Sequence, residues 1–326
     1  MIIVIVAAVS VVGLVFSGMY AYSGVWPPFS VVESGSMQHS DRAELGIIDT
    51  GDMVVVRTLD KDDTIVSYVE GYSSGYSRFG EYGDVIVYER GGGKNPVIHR
   101  PIVWLEYNET SDTWSAPSLK EYPYWSVTGV EPEDLDPMNI VGRLTLYDIG
   151  FLKKTADIDL TFNSSLWNTK QSGYATMGDS KGNYTFDQTG GIIDRFVSMD
   201  MIKYTAGLEI PWVGSLKLLF TNKNVEQIPP NSIPSIIVCA VALINILVVV
   251  FAFLGWLESR RPYDDDEDGW EEGPEIGNEH DNGQENKSSG EEGEEDPHPS
   301  ISIGEWLKED SRRRSSDENE EPDKGE

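Results

Sequence analysis

Two serines, two histidines and two aspartates carry the chemistry this chain offers. Ser34 and Ser36 stand in the stretch Ser34-Gly35-Ser36-Met37. A serine hydroxyl is a poor nucleophile at neutral pH until a positioned base takes its proton, and histidine, with an unperturbed pKa near about 6.5, is the ordinary base. The chain has 4 histidines. His280 and His298 fall in an acidic C-terminal stretch, which leaves His39 and His99 for a folded site. His99 lies in the strand-like run Val97-Ile98-His99-Arg100, whereas His39 follows the serines closely and reads as a loop residue. A base needs an acceptor to orient it, and Asp179 and Asp187 are both available downstream. The chemistry on offer is acyl transfer. That chemistry needs neither a metal nor a cofactor, and the single cysteine, Cys239, makes no intrachain disulfide and no cysteine-rich metal site.

The elements that must position these residues separate by composition. The 326 residues include 55 Asp+Glu against 25 Lys+Arg, a net charge of −30. A nucleic-acid partner is disfavoured on that balance and none is expected, because a phosphate backbone needs a basic face. Met1 to Tyr22 carries no charge and is long enough for a helix to cross a hydrocarbon core of about 30 Å. It lacks the positive n-region of a cleaved signal, so residues 1–23 read as an uncleaved anchor. Tyr20, Tyr22 and Trp26 are placed for an aromatic belt, and Pro27 and Pro28 are expected to end the helix. A second uncharged run, Ile236 to Leu257, reads as another span (residues 234–257), in which Cys239 is expected to be a buried, inert thiol. Arg260 and Arg261 immediately after it favour a cytoplasmic end. The reading is therefore a two-pass protein of the cell membrane with both termini cytoplasmic and residues 24–233 outside. Residues 258–326 hold 26 acids and 8 bases and read as a disordered acidic tail. One island in it, around Ile303, Trp306 and Leu307, reads as a transient turn or as a segment that folds on a partner.

The middle reads as mostly β. Runs rich in β-branched and aromatic residues recur at Met53–Arg57, Asp84–Glu89, Pro96–Trp104, Ile140–Leu146 and Leu208–Leu219, none with a sustained helical period. Gly51-Asp52 and Gly83-Asp84 read as turns that launch strands, and Glu106 to Trp125 as a surface insertion. Asn108, Asn163 and Asn183 stand in sequons.

Taken in order, Ser34–Met37 (SGSM), Gly51–Val56 (GDMVVV), Gly83–Tyr88 (GDVIVY), Val97–Arg100 (VIHR), Gly178–Asp187 (GDSKGNYTFD) and Ile210–Gly214 (IPWVG) resemble type I signal peptidase, serine peptidase family S26, of the archaeal and endoplasmic-reticulum branch. The acid excess suits a haloarchaeal member. The resemblance covers roughly residues 1 to 220 and implies a signal-peptidase-like β domain. It implies Ser36 as nucleophile, His99 as general base where the bacterial branch has lysine, and Ser34 as an oxyanion donor beside the Ser36 N–H. Asp187 matches the acid partner of the base and Asp179 the first aspartate of its block. The eight positions between them exceed the family spacing by about two, with Lys181 and Gly182 as the insertion, so either aspartate stays open as the orienting residue. Asp187 is the expected orienting residue, and Asp179 is expected to have a milder, mostly structural role, as a carboxylate that closes the Gly178-Asp179 turn.

The implied activity is removal of signal peptides from exported preproteins, with the lipid bilayer and the secretion translocon as partners and no cofactor. Two other readings stand beside it. One is a catalytically silent homologue; the other is a membrane scaffold that works through its acidic tail.

Overall fold

The computed structural model describes residues 2–60, 63–161 and 170–260. The tail beyond residue 260, with His280, His298 and the Trp306 island, lies outside the described residues, as does the Asn163 sequon. The described part is mostly β.

The first helix, α1 (Ile2–Ser23), is apolar along its 22 residues and ends at Gly24, whose φ of 70° only glycine takes easily. Gly24 N–H closes the last turn on the Tyr20 carbonyl at 2.9 Å. The helix therefore stops before Pro27 and Pro28. Thr58 Oγ1 then ties the chain down on the Ser23 carbonyl at 3.1 Å.

Beyond α1 the chain builds an antiparallel sheet from β1 (Phe29–Val31), β2 (Met53–Thr58), β5 (Ile86–Tyr88), β6 (Val97–Asn108), β11 (Gly173–Met177) and β12 (Ile202–Ile210). Their order is β1-β2-β12-β5-β6-β11, with β7 (Thr113–Ser115) pairing the far end of β6. Between β2 and β5 lie the short helix α2 (Tyr68–Ser74) and the hairpin of β3 (Ser77–Arg78) and β4 (Glu81–Tyr82). A second sheet, β10-β9-β8, comprises β8 (Trp125–Val127), β9 (Arg143–Ile149) and β10 (Lys154–Asp159). The 12-residue β6 serves both. Its N-terminal half carries the Val97–Arg100 motif, while Ile102 and Leu105 bury themselves with Leu144, Leu146, Ile158 and Phe196 in the core beside the second sheet. A further core, of Val32, Met37, Ile48, Val54, Val85 and Ala206, lies under the segment that carries the serines. Each fully buried aliphatic side chain of this kind contributes about 1.5–3 kcal/mol.

Two segments differ from the sequence expectation. Leu208–Leu219 is not one strand: β12 ends at Ile210, and after Pro211 and Trp212 the chain turns into helix α3 (Gly214–Thr221). Proline has no N–H to continue a ladder, so its hydrophobic run divides between two elements. Nor is Glu106–Trp125 a surface insertion, because Trp114, Leu119 and Tyr122 are buried within the larger core. The polar residues that separate these aromatics hid an inward-facing set.

The last element is α4 (Ser232–Ser259). Among the described residues, its Ser232–Leu257 portion is long and apolar enough to cross a membrane. At about 1.5 Å per residue it exceeds the hydrocarbon thickness. Cys239 lies on the outer surface of this helix, and Asn245 donates to its own helix, to the Val241 carbonyl at 2.7 Å.

Candidate active site

Ser36 sits in a single 3-10 turn, Gly35–Met37, whose Met37 side chain is driven into the core and fixes the turn from below. Ser34 precedes the turn in extended conformation, and its hydroxyl lies 3.4 Å from Ser36 Oγ. The Ser36 carbonyl accepts from Ser180 N–H at 2.9 Å. Ser34, Ser36 and His99 line one cleft of about 600 Å³, together with apolar Val97, Ile192 and Tyr204.

His99 is buried on β6, opposite Ile86 of β5. Its Nδ1 meets both carboxylate oxygens of Asp187 at 2.8 Å. Asp187 also accepts from Tyr88 OH at 2.7 Å and from Thr176 Oγ1 at 2.6 Å. Burial alone would raise the Asp187 carboxyl, but the His99 charge and the hydrogen bonds from His99, Thr176 and Tyr88 outweigh it and hold the group below the usual carboxylate range. Burial and the same carboxylate push the Tyr88 phenol far up, so it remains a donor. An ionised Asp187 surrounded by donors assigns the imidazole proton to Nδ1, which leaves Nε2 as the basic nitrogen.

The backbone explains why Thr176 is there. Pro101 of β6 has no N–H for its neighbour, and the β6/β11 ladder shifts register between Ala175 and Thr176, opposite that proline. The irregularity coincides with Thr176 serving Asp187 twice, through its hydroxyl and through its carbonyl, which accepts Asp187 N–H at 2.8 Å.

Asp179 is elsewhere. Its carboxylate accepts from Arg100 Nη2 at 2.6 Å and Nε at 3.0 Å, and His39 Nε2 lies 3.9 Å away. Arg100 is fully buried and also donates to the carbonyls of Arg78, Tyr82 and Gly83 at 3.0 Å each. Burial would raise Asp179, yet the Arg100 charge and hydrogen bonds, with the His39 ring nearby, bring it down to about 2. The expectation of a carboxylate that merely closes a turn is corrected: this is half of a buried ion pair. His39 is a loop residue, but it is buried and stacks on Phe151 with ring centroids 4.2 Å apart. The extra spacing between the aspartates is taken up by a turn in which Asn183 N–H reaches the Ser180 carbonyl at 3.0 Å.

The two Gly-Asp turns upstream are load points of the fold. Asp52 accepts from Asp49 N–H at 2.7 Å and Trp212 N–H at 2.8 Å, and Asp84 accepts from Val66 N–H at 2.9 Å.

The sequence reading gives no site role to three contributors. Gly178 packs so tightly that a Cβ there would lie 2.9 Å from His99 Nε2 and closer still to the Ser36 carbonyl oxygen. Lys154, opening β10, donates from Nζ to the carbonyls of Asp179 at 2.9 Å and Ser180 at 2.7 Å. The connector before α4 holds the segment that carries Ser36: Asn224 Nδ2 donates to the Glu33 carbonyl at 2.6 Å, and Gln227 Oε1 accepts Gly35 N–H at 3.2 Å. Asn231 in the same connector makes paired bonds of 2.8 and 2.9 Å with the Ala43 backbone. Only the glycine stood inside a motif; the others are common types far away in sequence. Among the described residues no group of three His, Cys, Asp or Glu is placed to hold a metal ion.

No protein-family model matches the chain, and no curated protein or solved structure matches it either. The functional reading therefore stands on the site itself and on the motifs that compose it.

Proposed function

We propose that this chain is a membrane-anchored serine endopeptidase of the type I signal peptidase kind, which removes signal peptides from exported preproteins. The observation that carries the reading is the Asp187–His99 pair buried on the wall of the cleft that also holds Ser36 and Ser34. His99 Nε2 takes the proton of Ser36, and Oγ attacks the scissile carbonyl. The oxyanion is met by the Ser36 N–H and the Ser34 hydroxyl, a type of donor whose loss costs about 10²–10³ in rate. The protonated His99, stabilised by Asp187, returns its proton to the leaving amine. Water activated by the same nitrogen then hydrolyses the acyl-enzyme.

Two spans, α1 and α4, hold the β domain against the outer face of the cell membrane, with both termini cytoplasmic. Support comes from their composition and from the exposed Val9, Leu14, Val241 and Leu247 along them, which water would not favour. That tether brings Ser36 to the height at which a preprotein's cleavage site leaves the bilayer beside the translocon.

The test is detergent-solubilised full-length protein incubated with a preprotein. Wild type should release the signal peptide, while Ser36→Ala and His99→Ala, each folded by thermal melt, should not. The two losses should not add, because the residues act as one unit. Uncleaved preprotein with the wild type would instead favour a silent homologue, and activity in Ser36→Ala would remove the nucleophile assignment.

A further inference from the structure

We infer that Lys154 is a positioning residue for the Ser36/His99 pair, an ammonium clamp that seats the Gly178–Ser180 turn against both of them; the inference rests on the peptidase reading above. Lys154 is 2% exposed, at the first position of β10, in the sheet that does not contain His99. Its Nζ faces three successive carbonyls, those of Gly178 at 3.4 Å, Asp179 at 2.9 Å and Ser180 at 2.7 Å. An ammonium has three N–H donors, and three acceptors converge on it. With its protons so placed it is not a base for Ser36.

What the clamp holds is the piece of backbone that touches the reacting groups. Ser180 N–H donates to the Ser36 carbonyl at 2.9 Å, and Gly178 is wedged between that carbonyl and His99 Nε2. Three peptide carbonyls pointing at one another's space repel unless a cation sits among them. Lys154 thus fixes the distance between nucleophile and base without touching either.

The surroundings decide when the clamp is charged. Asp179, already paired with Arg100 and near His39, and Glu81 on β4 are the acids that face Lys154. Burial pushes the Lys154 ammonium down to about 8, with the charges of Asp179 and Glu81 resisting that fall. Above about pH 8 the amine has one donor fewer for the same three carbonyls, and the turn is held less firmly.

The experiment uses full-length protein in detergent with a preprotein substrate, measuring kcat and KM from pH 6 to 10 for wild type, Lys154→Met and Lys154→Arg. Wild-type cleavage that Ser36→Ala abolishes establishes the underlying reading independently. Lys154→Met should then lower kcat by about ten- to a hundredfold with KM unchanged, as a displaced reacting pair would. Wild-type kcat should decline above about pH 8, and Lys154→Arg, which stays charged, should recover kcat toward wild type and carry the decline upward by more than one pH unit. A purely structural lysine would change the melting temperature and leave both the limb and kcat per folded molecule in place, which would overturn the inference. If neither variant folds, the wild-type profile still decides: a level kcat from pH 7.5 to 10 would refute the clamp. Wild type without any cleavage removes the peptidase reading and the inference with it.

Discussion

Asp179 and Asp187 leave one loop toward opposite faces of β6: the first meets Arg100 Nη2 at 2.6 Å, the second His99 Nδ1 at 2.8 Å. Adjacent residues of a strand point to opposite faces, so a His-Arg pair calls for two carboxylates on two sides. One is tied to His99 in the cleft and the other to the buried Arg100. Their separation of eight positions, which leaves the orienting role ambiguous in the sequence, includes the turn closed by Asn183 N–H on the Ser180 carbonyl.

Substitution separates the two. Asp187→Asn should leave the chain folded and lower kcat by orders of magnitude, because the imidazolium loses its stabilising charge and Nδ1–H its acceptor. Asp179→Asn should instead leave Arg100 buried without its counter-charge, at a cost of about 3–5 kcal/mol. Turnover normalised to folded protein should stay within about tenfold of wild type for the second variant. Preprotein cleavage and thermal melts on both proteins check this; an inactive, stable Asp179→Asn beside an active Asp187→Asn would exchange the roles.

Much of the strand pattern was legible because alternation and Gly-Asp turns are local: Met53–Arg57 lies within β2 and Pro96–Trp104 overlaps β6. The site residues were legible because they lie in short motifs of rare types, above all His99 in a chain with 4 histidines. Lys154 and Gln227 were not, since a lysine opening a strand and a glutamine in a polar connector announce nothing until the fold brings them to residues 178–180 and 35. Trp114 was misplaced because its neighbours Asp112 and Thr113 are polar, and the core it enters is assembled from β6, β11 and the second sheet. Where a role depends on a common residue type meeting backbone that only the tertiary fold brings to it, as Lys154 meets residues 178–180 and Gln227 meets Gly35, one-dimensional pattern carries no trace of it.

The connector before α4 should matter to catalysis. Gln227→Ala removes the acceptor for Gly35 N–H beside the nucleophile. One neutral hydrogen bond is worth about 1 kcal/mol, so kcat should fall by about fivefold with little change in melting temperature. Adding Asn224→Ala, which frees the Glu33 carbonyl, should deepen the loss. Equal turnover in the double variant and wild type would show that the 3-10 turn holds itself.

Stability should peak on the acid side. Burial pushes Asp49 up to about 7, Asp52 to about 6 and Glu209 to about 8, with the charges of Asp52 and Asp49 adding to Glu209. Carboxyls raised on folding keep their protons in the native state while the unfolded chain releases them, so stability is lost as pH rises from about 4 toward 8. Asp179, lowered to about 2, acts in the opposite sense, and its contribution disappears as pH falls from about 4 to 2. The melting temperature at constant salt should therefore be highest near about pH 4–5. In Glu209→Gln the decline toward pH 8 should be shallower, and an unchanged slope in that variant would exclude the group as its source.

The most local test concerns a single methyl group. At Gly178 a Cβ would fall 2.9 Å from His99 Nε2 and nearer than that to the Ser36 carbonyl, distances at which something must move. The neighbours able to yield are the 3-10 turn of Ser36 and the imidazole, since Lys154 holds the loop from the other side. Gly178→Ala should consequently push nucleophile and base apart rather than unfold the domain. Displacement by about 1 Å costs on the order of a hundredfold in rate. Cleavage assays should show that loss in kcat, while the melting temperature drops by only a few degrees. Gly190→Ala makes the control, because its Cβ would meet Thr185 Oγ1 at 3.1 Å, away from Ser36 and His99. If Gly178→Ala cleaves as fast as this control, the close approach at Gly178 has no part in setting the geometry of Ser36 and His99.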